Sequence, residues 1–429
     1  MMIQNLLQFL DRSKTAFHAI REIETLLAHA GFQKLRETDV APITLGGKYY
    51  MTRNASSVIA FKIPEVMPTG FMITASHSDS PTFKIKPYGE SEALGKYLKL
   101  NTERYGGMII PSWFDRPLSV AGRVAVESEN GIETHLVDLD SDLAVIPNVA
   151  IHMNRTINDG YKYNPAVDTM PLMASLSSKK SLTELVSEAL GGNKKILGHD
   201  LFLYCRQKAT LIGADESFFL SPRIDNLECA YATLEGFLAS EVKKAVAVYA
   251  VFDNEETGSE TKQGAASDFL SAVLDRIAKG LSIDSLFPLL ANSMMLSADN
   301  AHARHPNHPE LADGQNAPHM NEGIVIKYNA SQRYTTDGVS AALFKKICEK
   351  ANVPTQVYAN RSDMPGGSTL GSIASTRVSL KTVDIGLAQL AMHSACETAG
   401  VKDAAYLADA SRVFFSSSLV TDDDAIRIE

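Results

Sequence analysis

The stretch Ala245-Val-Ala-Val-Tyr-Ala-Val-Phe-Asp-Asn-Glu-Glu256 passes in one step from eight apolar residues to a run holding three acids. A segment with no polar face reads as a strand buried on both sides, the pattern of a parallel sheet. Phe71–Ala75 and Ser293–Ala298 have the same character. They run into His77-Ser-Asp79 and Asp299-Asn-Ala-His302. Two further segments, Arg223-Ile-Asp225-Asn226 and Met392-His393-Ser394, carry similar residues. Ligands of open α/β sheets collect beyond the carboxyl ends of strands. Histidines and carboxylates gathered there point to a metal site, and their number points to two metals.

Outward from that stretch, helix and strand patterns alternate. Helix is expected over 226–238 and 263–278, and strand over 245–252 and 293–298. Strands are expected near 324–328, 355–358 and 379–385, then a helix over 386–399. Before it, residues 3–30 show helical spacing (Leu6, Phe9, Leu10, Ile20, Ile23, Leu27) with Gly31 as a stop. Val58–Ile63 and Phe71–Ala75 read as strands. Residues 89–220 differ: Val120–Val126 and Ile132–Val137 alternate as β-structure, Ser181–Ala189 reads as a single helix, and Leu201–Leu211 returns to strand. The expectation is an α/β fold with a mostly parallel central sheet flanked by helices. It comprises a discontinuous catalytic domain, 1–88 and 221–429, and an inserted β-rich domain, 89–220. His77 precedes the insertion and the other candidate ligands follow it, so both pieces must fold together to make the site.

A co-catalytic hydrolytic centre needs oxygen and nitrogen donors around two cations roughly 3.5–4 Å apart. His77 and His393 can give one imidazole to each, and Asp225, Glu256 and Asp299 can complete both shells. Glu255, beside Glu256, is the candidate base for the attacking water. Asp79 can accept the ring N–H of His77 and fix its tautomer. Each residue also has a plain reading. Asp225 could be an N-cap, Asp253–Glu256 the first turn of a helix, and His393 a packed core histidine. The coincidence of all five segments carries the argument.

The segments Ala75-Ser-His-Ser-Asp-Ser-Pro81, Ser221-Pro-Arg-Ile-Asp-Asn-Leu227, Phe252-Asp-Asn-Glu-Glu-Thr-Gly258, Ser297-Ala-Asp-Asn-Ala-His-Ala303 and Gln389-Leu-Ala-Met-His-Ser394 closely resemble the aspartyl aminopeptidase family, among the co-catalytic zinc exopeptidases. Phe17-His-Ala19, Tyr105-Gly-Gly107, Trp113-Phe-Asp-Arg116 and Gln332-Arg-Tyr334 extend the match, in the family's order. The resemblance implies His77, Asp225 (bridging), Glu256, Asp299 and His393 as metal ligands and Glu255 as general base. It implies that Lys327 gives a preference for acidic N-terminal residues and that His302 lies near the substrate. It also implies that the insertion pairs subunits, that His152 enters a neighbour's active site, and that a tetrahedral dodecamer is built from such dimers. Lys327 otherwise reads as a strand lysine reaching solvent, His302 as a polar loop residue and His152 as a strand-end histidine. The chain departs from the family at Pro365-Gly366-Gly367, Thr257 and His308.

The 429 residues are 45% hydrophobic and 21% charged, an ordinary globular composition. A net charge of −9 argues against nucleic acid as a partner. No apolar run approaches the ~18 residues of a membrane span. The N-terminus lacks a basic head and a cleavage site, so cytoplasmic residence is the default expectation. Cys205, Cys229, Cys348 and Cys396 show no paired spacing and read as reduced thiols. The sequence therefore predicts a metallo-aminopeptidase acting on peptides with free N-termini, and the resemblance implies a preference for Asp or Glu. Its cofactors would be two divalent cations per subunit, Zn first, with Mn or Co compatible with the same donors. A broad-specificity aminopeptidase of the same fold and a non-catalytic metal-binding assembly protein are the alternatives.

Overall fold

The computed structural model describes residues 2–40, 42–178, 180–192 and 194–429. Its core is a nine-stranded sheet. The central four strands, Val246–Phe252, Phe71–His77, Met294–Ala298 and Lys381–Gly386, lie parallel in that order. Every residue of the first three is buried, as expected where helices cover both faces. One face packs on Met2–Arg12, Ala16–His29, Ile224–Ala239, Gly338–Ala351 and Asp403–Phe415. The other packs on Phe269–Gly280 and Leu370–Arg377. Antiparallel strands Ser57–Lys62 and Ile324–Tyr328 flank the parallel centre.

A second sheet of six strands is antiparallel throughout. It opens with Thr82–Ala93 and closes with Ile196–Cys205. It has its own apolar cluster around Phe83, Trp113, Val120 and Leu203. The sheet thus starts ahead of residue 89 and ends ahead of residue 220. Thr210–Ile212 and Phe218–Ser221 instead join a small sheet with Glu397–Gly400, Ala388–Leu390 and Ala301–His302. The helix Leu182–Ala189 is where the sequence placed it, closed by a Ser181/Glu184 capping box.

Several expectations need correction. Residues 386–399 are not a helix. Leu387, Leu390, Ala391 and Ala395 have helical spacing, but the chain forms a hairpin in which Gln389 faces Ala399 and Leu390 faces Thr398. Ala391 and His393 take φ of 56° and 68°, which no α-helix contains. Strand addition to Phe218–Ser221 overrode local periodicity. The helix expected from 263 begins at Phe269, after a compact run of turns. The helices Gly338–Ala351, Leu370–Arg377 and Asp403–Phe415 fall where the sequence reading assigned none. The first has a start signal in the sequence, since Asp337 caps Ser340 N–H.

Candidate metal centre

The six residues proposed for the centre arrive from five chain segments at one end of the large sheet. His77 ends its strand, and Asp299 follows Met294–Ala298. Glu255 and Glu256 occupy a single 3-10 turn after Val246–Phe252. Asp225 lies in the first turn of Ile224–Ala239, where its ψ of 109° departs from helix. His393 sits in the hairpin turn. Two glycines permit this convergence. Gly106 has φ 76°, and a Cβ there would lie 3.1 Å from the Glu256 Cβ. Gly386 packs so close to Asp299 O that a Cβ would stand 1.9 Å from it.

Asp225 is central. Its Oδ1 lies 3.4 Å from His77 Nε2 and its Oδ2 lies 3.3 Å from His393 Nε2. His77 Nε2 also faces Asp299 Oδ1 and Glu255 Oε2, each at 3.9 Å. His393 Nε2 faces Glu256 Oε2 at 3.4 Å. Three sets of donors lie close enough to share a cation: His77, Asp225 and Asp299; His393, Asp225 and Glu256; and His77, Glu255 and Glu256.

The other ring nitrogens are engaged behind the site. His77 Nδ1 lies 3.1 Å from the Asp79 carbonyl and 3.3 Å from its Oδ1. His393 Nδ1 lies 2.7 Å from the Gly107 carbonyl. With N–H on each Nδ1, both Nε2 lone pairs face the centre, as metal-binding histidines require. Asp79 does more than the sequence reading gave it. It accepts from Glu255 N, Glu256 N and Tyr105 OH at 3.1, 3.2 and 2.6 Å.

Sequence reasoning missed Glu397. This buried carboxylate accepts from His393 N at 2.8 Å through Oε1 and from Asp225 N at 3.1 Å through Oε2. The Gln389 amide donates to it as well, at 3.2 Å. Its only sequence signal is an acid inside the otherwise apolar and small run Ala395-Cys-Glu-Thr-Ala-Gly400.

Cations fit this donor set. Asp225 Oδ1 and Glu256 Oε1 are buried without a hydrogen-bond donor, which is costly unless positive charge lies beside them. Burial pushes Glu255 up to about 8 and Glu256 well above the carboxylate range. Burial alone would depress both histidines, but the carboxylates outweigh it. Asp225, Asp299 and Asp79 hold His77 well above its usual value, and Asp225 and Glu256 take His393 to about 10.

Of the remaining candidates, Lys327 is buried and donates to the Asn300 carbonyl at 2.8 Å. Burial opposes its charge, but Asp299 and neighbouring groups keep its pKa raised. Its Nζ stands 5.4 Å from the Tyr334 ring centroid, Tyr334 lies 6.2 Å from Tyr358, and Tyr358 lies 6.0 Å from His302. The four side chains form one group. His302 reaches solvent at its edge; the desolvating walls around it, then Lys327, lower its pKa. His152 is exposed in a turn and shares no hydrogen bond or ion pair with the centre among the described residues. The structure does not bring it to the site of its own chain. No helix among the described residues is long and apolar enough to cross a membrane.

Comparison with known proteins gives the family and the fold. The chain is 46% identical over 412 residues to a probable M18 family aminopeptidase 2 of Clostridium novyi, covering 94% of this chain and 95% of that protein. Among solved structures, the Ape4 chain from a complex with Nbr1 superposes with a TM-score of 0.93 at 36% identity, over 97% of this chain and 85% of that one. The S. cerevisiae mApe1 dodecamer superposes with a TM-score of 0.85 at 25% identity, over 96% of each chain. Residues 9–415 match the family described as aminopeptidase I zinc metalloprotease. With acid and imidazole donors set at the carboxyl ends of a parallel sheet, the chain belongs to the M18 family of zinc metallo-aminopeptidases.

Proposed function

We propose that the enzyme binds two divalent cations, zinc first, and uses them to release acidic N-terminal residues from peptides. The observation that supports this most is Asp225, whose two oxygens face two histidines on opposite sides. His77 and Asp299 would hold one cation, His393 and Glu256 the other, and Asp225 both. When bound, such a pair lowers the pKa of a water between them and neutralises charge on the scissile carbonyl oxygen. Glu255 takes the proton of the attacking water and returns it to the leaving amine. It is suited to this because, among the described residues, no hydrogen-bond donor engages its carboxylate, and burial lifts its proton affinity into the neutral range. Asp79 fixes its place through the backbone amide.

Specificity is assigned to Lys327 with His302, Tyr334 and Tyr358. A buried, charged lysine beside Asp299 offers an acidic side chain a charge-assisted hydrogen bond. We further propose that residues 82–205 form the inserted domain, that it pairs two subunits, and that the pairs assemble into a dodecamer in the cytoplasm. The dodecameric relative supports that assembly.

Metal analysis of the purified protein, with an aminoacyl substrate panel on the same sample, tests the reading. Two cations per chain are expected, with Asp and Glu turned over fastest. Lys327→Met should reduce the acidic substrates about ten- to a hundredfold relative to Leu or Ala, the worth of a charged hydrogen bond. Equal losses across the panel would show that the lysine is structural.

A further inference from the structure

Between the inserted sheet and the catalytic half lies a cavity of about 280 Å³. This is far larger than the roughly 10–15 Å³ needed to admit one water. None of the six residues of the metal centre lines it. Asp79 and Glu397 do, so the cavity touches the backs of the two carboxylates that hold the centre's backbone.

Its charges are unevenly paired. Lys84 and Arg123 both bind Asp200, at 3.1 and 2.8 Å. Lys14 and Arg223, which also line it, have no carboxylate within ion-pair distance among the described residues. Lys14 Nζ stands 5.1 Å from the Tyr204 ring centroid. Arg223 donates to the Leu10 carbonyl at 3.0 Å, and its buried Nε has no acceptor among the described residues. Nearby acids are engaged elsewhere: Asp11 holds Ala209 N at 2.9 Å and Asp138 holds Tyr204 OH at 2.7 Å. Burial, then repulsion from Arg223 and Lys208, lowers Lys14 to about 8. Phe17, Trp113 and Phe202 supply flat apolar wall between the polar groups.

We propose that this cavity binds a small organic carboxylate, its anionic end between Lys14 and Arg223 and its apolar body against the aromatic wall. Two half-buried cations line one space with no ion-pair partner among the described residues, and an anion between them offsets the cost of their partial desolvation. A lone inorganic anion would leave the aromatic part of the cavity unfilled. The site is separate from peptide hydrolysis and does not depend on how many cations the centre holds.

The test is calorimetric titration of the metal-loaded protein with benzoate, with a peptide hydroxamate occupying the metal centre. Saturable one-to-one binding is expected. The uncharged isostere benzamide should not bind. Lys14→Met keeps the apolar stem of a half-buried loop residue and should weaken benzoate by roughly ten- to a hundredfold. Lys14→Gln serves if that variant melts early. The proposal is overturned if benzoate fails to bind, if benzamide binds equally well, or if the lysine variants bind benzoate like the parent. Binding of inorganic phosphate with none of benzoate would also overturn it, leaving a simple anion hole.

Discussion

Glu255 and Glu256 are neighbours in sequence with different surroundings. The Glu256 side chain is 3% exposed and faces His393, whereas Glu255 is 16% exposed and stands farther from His77. A ligand and a base call for this division. Glu255→Gln is therefore expected to lose about 10²–10⁴-fold in turnover while keeping its metal. Glu256→Gln should lose metal too. Substantial activity in fully metallated Glu255→Gln would sink the base assignment. The histidines give a second residue-level test. In the metal-free protein both imidazole pKa values are raised, so both rings are charged at neutral pH, yet only the neutral ring binds a cation. Metal uptake near pH 7 should release protons from both histidines and from Glu256, and affinity should rise with pH. Calorimetry in buffers of different ionisation enthalpy measures this; a heat independent of buffer would refute it.

At the scale of elements, the hairpin Ala388–Gly400 decides whether His393 reaches the site, and Glu397 fastens it. One carboxylate holds the backbone of two proposed ligands, so removing it frees His393 and Asp225 together. Glu397→Ala should lower metal retention on both sides, most on the His393 side where two supported ligands meet, read by metal analysis after chelator challenge. Unchanged content in a folded variant would mean that Glu397 only fills space. This element was the least legible in the sequence. Leu387, Leu390, Ala391 and Ala395 imitate a helix, and what excludes one is pairing with Phe218–Ser221, far away in the chain. The strands at 246–252 and 294–298 were legible because burial on both faces leaves an uninterrupted apolar run that needs no partner to be read.

For the whole molecule the question is His152. It is exposed, and Val149, Ile151 and Met153 around it are exposed as well, at 51%, 47% and 83%. A second subunit covering this loop would bury them. His152→Ala is expected to lower turnover with metal content and assembly intact. Co-assembled with Glu255→Gln, it should recover partial activity, because some sites would combine an intact base with an intact neighbouring histidine. Verified mixed assemblies that recover nothing would exclude a role across the interface.

The sequence by itself determined the α/β class, the buried central strands, the histidines and carboxylates that the fold brings together as a candidate metal centre, and the interruption by a β-rich segment. Each of these is written locally, as an apolar run or as chemistry at its end. Only the tertiary structure decided the hairpin at His393, the part played by Glu397, the true limits of the six-stranded sheet and the cavity between the two halves. These depend on which distant segments pair and on which polar groups burial forces together, and the free energy of such contacts is set in three dimensions.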